Sequence, residues 1–314
     1  MRGGGGILAK NRILSDKTAA DIEKRIERVL NGLGNPEPPV KLEDIRELLR
    51  LDRQFYSASD TSATREKISR IKVAAVQIYE RPTLLFEAIR KLSLKALYLP
   101  DQKRILLDAD LPLKKHRWNE AHEIGHSLLP WHHDVMLGDD ALTLSTDCHD
   151  QIETEANYAA GQLLFLRERF TREAGDLQPT LDNIKKLHGT FGNTFSTTLY
   201  RFVELMGRDR PMIGIISAHP HKSRRPHDFD AARPCRHFIQ SPAFADRFSR
   251  LREIDMFQTI TSYCGAQRGG PLGESELLLM DDNGEQHRFY FETFFNRYDA
   301  LTLGIYMKLE PISA

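Results

Sequence analysis

The sequence predicts an α+β protein in two parts: a mainly helical domain with a small sheet, then a smaller α/β or mainly β module. Three observations carry this prediction. Apolar residues recur at helical spacing in segment after segment as far as Met206. The Gly-Arg-Asp-Arg-Pro punctuation at residues 207–211 ends that pattern. After it come runs that read as strands, at Met212–Ile216, Glu276–Met280, Gln286–Glu292 and Leu301–Leu309, with a hairpin signal at Asp281-Asp282-Asn283-Gly284. The expected organisation is a tail and helix over 1–38, a central domain over 39–208 and a separate C-terminal module over 209–314.

Composition sets the bounds. The 314 residues carry 44 basic and 44 acidic side chains, so no global charge favours nucleic acid or a membrane surface. No apolar run approaches the ~20 residues of a membrane helix. The start of the chain has too short an apolar stretch for a signal peptide, and its glycines suggest a flexible tail. Three scattered cysteines form neither a disulfide framework nor a zinc-ribbon spacing. A cytoplasmic protein is the simplest expectation.

In chain order, Ile22, Ile26, Val29, Leu30 and Leu33 give a helix over Asp16–Leu33, stopped by Gly34. A turn follows, then a helix over Lys41–Leu51, and Ser57–Ser62 reads as a loop. Short strands are expected at Lys72–Ile78 and Ala96–Leu99, flanking a helix over Thr83–Leu92. Arg104, Ile105, Leu106, Leu107 and Asp108 form another strand candidate, bounded by Asp101-Gln102 and Pro112. Thr180–His188 and Thr194–Met206 form a helix pair read as packing, since its second helix carries only Arg201 where DNA reading would want a basic face. His219–Arg236, rich in arginine and histidine, reads as a solvated loop that could meet an anion.

The chemistry concentrates in Trp118–Leu129, which contains His-Glu-x-x-His. On a helix, His122 and His126 leave the same face one turn apart, so two ring nitrogens can reach one zinc ion. Glu123 beside the first histidine is placed to act as a base toward water. A third ligand is needed if one coordination position is to stay open for catalysis. The helical run Asp150–Leu164 offers Glu153, with Asn157 on the same face to hydrogen-bond a ligand histidine. Glu155 is the reserve ligand. Ala156, Ala159 and Ala160 would let this helix approach the first closely. His132, His133, His149 and Tyr158 are minor candidates for stabilising an oxyanion.

Ala-His-Glu-Ile-Gly-His-Ser-Leu-Leu followed by Glu-Thr-Glu-Ala-Asn-Tyr-Ala-Ala-Gly-Gln-Leu-Leu resembles the ImmA/IrrE family of zinc metallopeptidases, over about Pro39–Gly207. The resemblance implies a zincin-like fold, Zn²⁺ held by His122, His126 and Glu153, and Glu123 as the general base. The chain departs from the family after Leu164, reading Phe-Leu where members often have Met-Pro. The family further implies a regulatory endopeptidase of bacterial or phage origin acting on a protein substrate, a helix-turn-helix transcriptional repressor. In zincin-like peptidases a rim strand pairs with the extended substrate, and 104–108 is the candidate for that edge. Two other readings stay open: a toxin–antitoxin or phage-defence component using the same chemistry, and a non-proteolytic ligand-sensing module with a structural zinc.

Overall fold

The computed structural model describes residues 10–56, 96–99, 103–109, 113–132 and 146–310. The expected strand at 72–78, the helix at 83–92, the loop at 57–62 and His133 lie outside these residues. The described chain divides into two compact units.

The first unit holds residues 14–169 with 191–193. Helix α1 (Asp16–Gly32) starts at Ser15, whose hydroxyl accepts from the Thr18 amide. It ends in a Schellman turn: Gly34 takes a left-handed φ of 71°, and the Gly34 and Asn35 amides donate to the Asn31 and Leu30 carbonyls. Helix α2 (Leu42–Leu49) follows, then β1 (Asp52–Tyr56), β2 (Ala96–Leu99) and β3 (Arg104–Asp108). Strand β1 was not foreseen, because Asp52-Arg53-Gln54 carries no strand signal of its own. It forms by pairing in parallel with β3, while β2 pairs with β3 antiparallel.

That order, β1-β3-β2, corrects the substrate-edge expectation. Strand β3 lies in the centre of the sheet with both main-chain edges taken, and Ile105, Leu106 and Leu107 are buried. A peptide has no free amides or carbonyls there to pair with. Among the described residues, only β1 or β2 has an open side.

Helices α3 (Leu113–Leu128) and α4 (Thr146–Leu164) form the rest of this unit, α3 packing on β2 and β3 as well as on α4. The helices touch through small residues. A Cβ at Gly125 would stand 2.8 Å from the Ala156 carbonyl oxygen and 3.2 Å from the Ala159 Cβ. Ala121, Ala156, Ala159 and Ala160 are fully buried. Side chains fasten this pair to its surroundings. Glu120, buried on α3, accepts from Arg46 Nε of α2 at 2.6 Å and from Arg53 Nη1 of β1 at 2.9 Å. Tyr158 on α4 donates its hydroxyl to Glu23 of α1 at 2.5 Å, so it is a helix tie and not an oxyanion donor.

The second unit contains residues 170–190 and 194–310, with residues 10–13. After α5 (Glu168–Gly175), α6 (Leu181–Phe191) and α7 (Phe195–Met206) come β4 (Met212–Ser217), β5 (Cys235–Gln240), α8 (Pro242–Arg247), α9 (Glu253–Thr261), β6 (Gly270–Met280), β7 (Gln286–Phe295) and β8 (Ala300–Leu309). The strands form one antiparallel sheet in the order β5-β4-β8-β7-β6. Its core is aromatic, with Phe238, Phe244, Phe248, Phe289 and Phe291 buried together. Helix α7 packs on β4, β5 and β8, and Arg201 is buried there beside Glu204 (3.1 Å).

The expected solvated loop at 219–236 is better held than its polarity suggests. Arg225 lies over the rings of Phe229 and Phe257 and donates to the Pro220 carbonyl, and Arg224 donates to the Ala266 carbonyl. The Arg225 guanidinium uses aromatic faces that no local pattern reveals.

The Gly125 contact yields a direct prediction. Valine there gains little helix propensity over glycine, whereas overpacking costs about 1–3 kcal/mol. Gly125→Val should therefore lower the stability of the first unit by about that amount. Urea unfolding followed by tryptophan fluorescence reads this unit alone, since Trp118 and Trp131 are the chain's only two tryptophans. An unchanged midpoint would show that the helices do not need the close approach.

Candidate metal centre

Two elements build the centre. Helix α3 presents His122 and His126 from one face, and α4 brings Glu153 opposite them because Gly125 and the alanines allow backbone contact. The two Nε2 atoms lie 3.1 Å apart. Glu153 Oε2 is 3.2 Å from His122 Nε2, and its Oε1 is 3.6 Å from His126 Nε2. Two imidazole nitrogens and one carboxylate thus converge within 4.8 Å of one another.

This donor set fits a metal ion. A tetrahedron with metal–ligand distances of 2.0–2.1 Å has edges of about 3.3 Å; the 3.1 Å between the two Nε2 atoms and the 3.2 Å from His122 Nε2 to Glu153 Oε2 lie close to that value, and the 3.6 Å from His126 Nε2 runs to the other carboxylate oxygen. An N, N, O set of this kind suits the divalent transition metals that imidazole binds, zinc among them. The outer nitrogens are engaged as ligand histidines require: His122 Nδ1 lies 3.0 Å from Asn157 Oδ1, and His126 Nδ1 lies 2.9 Å from His132 Nδ1. Each ring can then keep its proton on Nδ1 and turn a lone pair on Nε2 inward.

Charge is tightly coupled here. Burial disfavours a charged His122, but its hydrogen bond to Glu153 and the negative charges of Glu123 and Glu153 outweigh this and raise its pKa to about 9. At His126 burial prevails, aided by the neighbouring His122, and the pKa falls to about 4. Burial pushes the Glu153 carboxyl up, yet its bonds to the two imidazoles hold it well below the usual carboxylate range. Glu123 is itself buried, and its influence on His122 places it within electrostatic reach of the triad.

The reserve ligand Glu155 does not join this group. Its Oε2 lies 2.9 Å from His132 Nε2 and accepts from Trp131 Nε1 at 2.6 Å, and its Oε1 accepts from Gln151 Nε2 at 2.7 Å. Two residues on from Glu153 is about 200° round the helix, which aims it away from the triad. Nor does His132 face open space as an oxyanion donor would: it is fully buried between His126 and Glu155. Its position depends on a break in the helix at Leu129-Pro130, with the His132 amide donating to the Leu129 carbonyl. On an unbroken helix, residue 132 would lie about 120° away from residue 126. Pro130 was the signal for that break. The side chain of His149 is outside the described set.

One other described group has metal-binding residue types: Asp281, Glu285 and His287 at the β6–β7 hairpin. Asp281 Oδ1 accepts from the amides of Asn283 and Glu285, and Oδ2 lies 3.1 Å from His287 Nε2. The Arg247 guanidinium sits 3.4 Å from the same ring. Asp281 and His287 are thus engaged in closing the hairpin, and the Arg247 cation already stands beside them.

Residues 81–203 match the family model described as Peptidase_M78, IrrE N-terminal-like domain. No curated protein matches the chain. Among solved structures, a Mycobacterium tuberculosis transcriptional regulator is similar with a TM-score of 0.51 and 14% identity, over 93% of this chain and 90% of that one. At that identity the likeness concerns fold. The matched segment contains His122, Glu123, His126 and Glu153 together, and this similarity supports the ImmA/IrrE assignment that the two motif helices suggest.

Proposed function

We propose that the chain is a zinc-dependent endopeptidase that cuts a regulatory protein. The observation that carries this is the convergence of His122, His126 and Glu153 with Glu123 beside them on the same helix. When bound there, zinc would polarise the scissile carbonyl and lower the pKa of water toward ~7. Glu123 takes the proton from the attacking water and delivers it to the leaving amine. A buried carboxylate suits this traffic, because its hydration does not have to be stripped at each turnover. Asn157 holds His122 in the orientation that points Nε2 inward. Any main-chain pairing with an extended substrate in the three-stranded sheet falls to β1 or β2.

A helix-turn-helix transcriptional repressor is the substrate class we favour, from the family resemblance. A protein of similar fold described as a transcriptional regulator is in keeping with a regulatory setting. That same likeness favours one rival, a non-proteolytic regulator with a structural metal. The rival gives no task to Glu123, since a structural site needs no base. No helix among the described residues is long and apolar enough to cross a membrane.

Two predictions test the site. Glu123→Gln should keep one zinc per chain while repressor cleavage falls about 10²–10⁴-fold, whereas Glu153→Ala should lose both metal and cleavage. Metal analysis paired with a cleavage assay decides; wild-type cleavage by Glu123→Gln would remove Glu123 from the mechanism. The second concerns protons. Raised to about 9, His122 is an imidazolium at neutral pH in the metal-free protein, and zinc can bind only its neutral form. Zinc uptake at pH 7 should release about one proton, and affinity should fall about tenfold per unit as pH drops below about 9. Calorimetric titrations in two buffers of different ionisation enthalpy measure the release, and identical enthalpies would refute it.

A further inference from the structure

His126 is backed by more than a single hydrogen bond. Its Nδ1 lies 2.9 Å from His132 Nδ1, His132 Nε2 lies 2.9 Å from Glu155 Oε2, and all three side chains are buried. Such a chain of two imidazoles has two possible directions, and Glu155 decides between them. The indole Nε1–H of Trp131 can only donate, and it donates to the same Oε2. The Gln151 amide donates to Oε1. Glu155 is thus the terminal acceptor, so His132 carries its proton on Nε2 and leaves a lone pair on Nδ1. His126 must then donate from Nδ1, which leaves its Nε2 lone pair facing Glu153 and His122. The opposite direction would put a proton on His126 Nε2, where a metal ligand cannot have one.

The two ligand imidazoles are therefore not equivalent. His122 leans on a neutral amide oxygen, that of Asn157, whereas His126 leans through a second imidazole on a carboxylate. Anionic backing raises the basicity of a ligating imidazole. We propose that His132 and Glu155 are positioning residues that lock His126 as an Nε2 donor and make it the stronger of the two histidine ligands. This rests on the metal-centre reading above.

The test is zinc affinity, measured by chelator competition on the full chain, with nitrogen NMR of the imidazoles. His132→Phe keeps a ring in the cavity but removes both nitrogens, and it should weaken zinc binding about 10–100-fold. Glu155→Gln keeps the size and an acceptor oxygen but removes the charge, and it should weaken zinc binding in the same direction. A merely structural role would lower the urea midpoint of the metal-free variants, read by circular dichroism, and leave affinity unchanged in folded protein; that result overturns the proposal. Should a variant not fold, the zinc-loaded wild type still decides. Protons on His132 Nε2 and His126 Nδ1 support the relay, and a proton on His132 Nδ1 overturns it. A wild type that takes up no zinc overturns the metal-centre reading as well. A wild type that binds zinc as tightly as both variants do overturns the relay alone.

Discussion

The contact between α3 and α4 at Gly125 is the constraint on which the metal centre depends. A Cβ at Gly125 would press on the Ala156 carbonyl and the Ala159 methyl and push the backbones apart, drawing Glu153 away from the two Nε2 atoms. A carboxylate stem is short, so donors on separate helices meet only when the helices nearly touch. The surrounding polar ties act on the same pair. Glu120 anchors α3 to α2 and β1 through two arginines, and Tyr158 anchors α4 to α1 through Glu23. Each of these ties is buried or half-buried, where a charge-assisted hydrogen bond is stronger than at the surface.

Bringing two imidazoles and a carboxylate together under cover creates an electrostatic demand for positive charge. In the metal-free protein burial at His122 is outweighed by the Glu153 and Glu123 carboxylates, which favour its charged form, whereas at His126 burial prevails, aided by the neighbouring His122, so the two shift in opposite directions. A divalent cation answers that demand, because it satisfies all three donors at once. The hairpin cluster of Asp281 and His287 shows that residue types alone do not produce this demand. There the carboxylate is consumed by backbone amides and Arg247 supplies the charge, so the same kinds of side chain close a turn.

The C-terminal unit follows a different logic. Its sheet is antiparallel throughout, its strands β6, β7 and β8 are long, and phenylalanines dominate its core. The β7–β8 pairing requires a glycine at 304 because a Cβ there would run into the Phe291 ring and the Ile213 side chain. Bulk on one strand is matched by its absence on the next.

By itself the sequence determined what local spacing controls. The i,i+4 histidines, the Glu153–Asn157 face, the small residues of α4 and the Asp281–Gly284 hairpin all depend on helix or turn geometry within a few residues, and periodicity reports that directly. Tertiary structure alone decided whatever depends on partners distant in sequence. Strand β1 exists because β3 lies beside it; β3 is central because β1 and β2 occupy both its edges. Arg225 is held by rings at 229 and 257. Glu155 and His132 looked like a spare ligand and a loop residue, and became one buried relay once a helix break and the close approach of α3 and α4 brought them together. Hydrogen-bond direction depends on which atoms face one another in space, and a linear pattern contains no record of that.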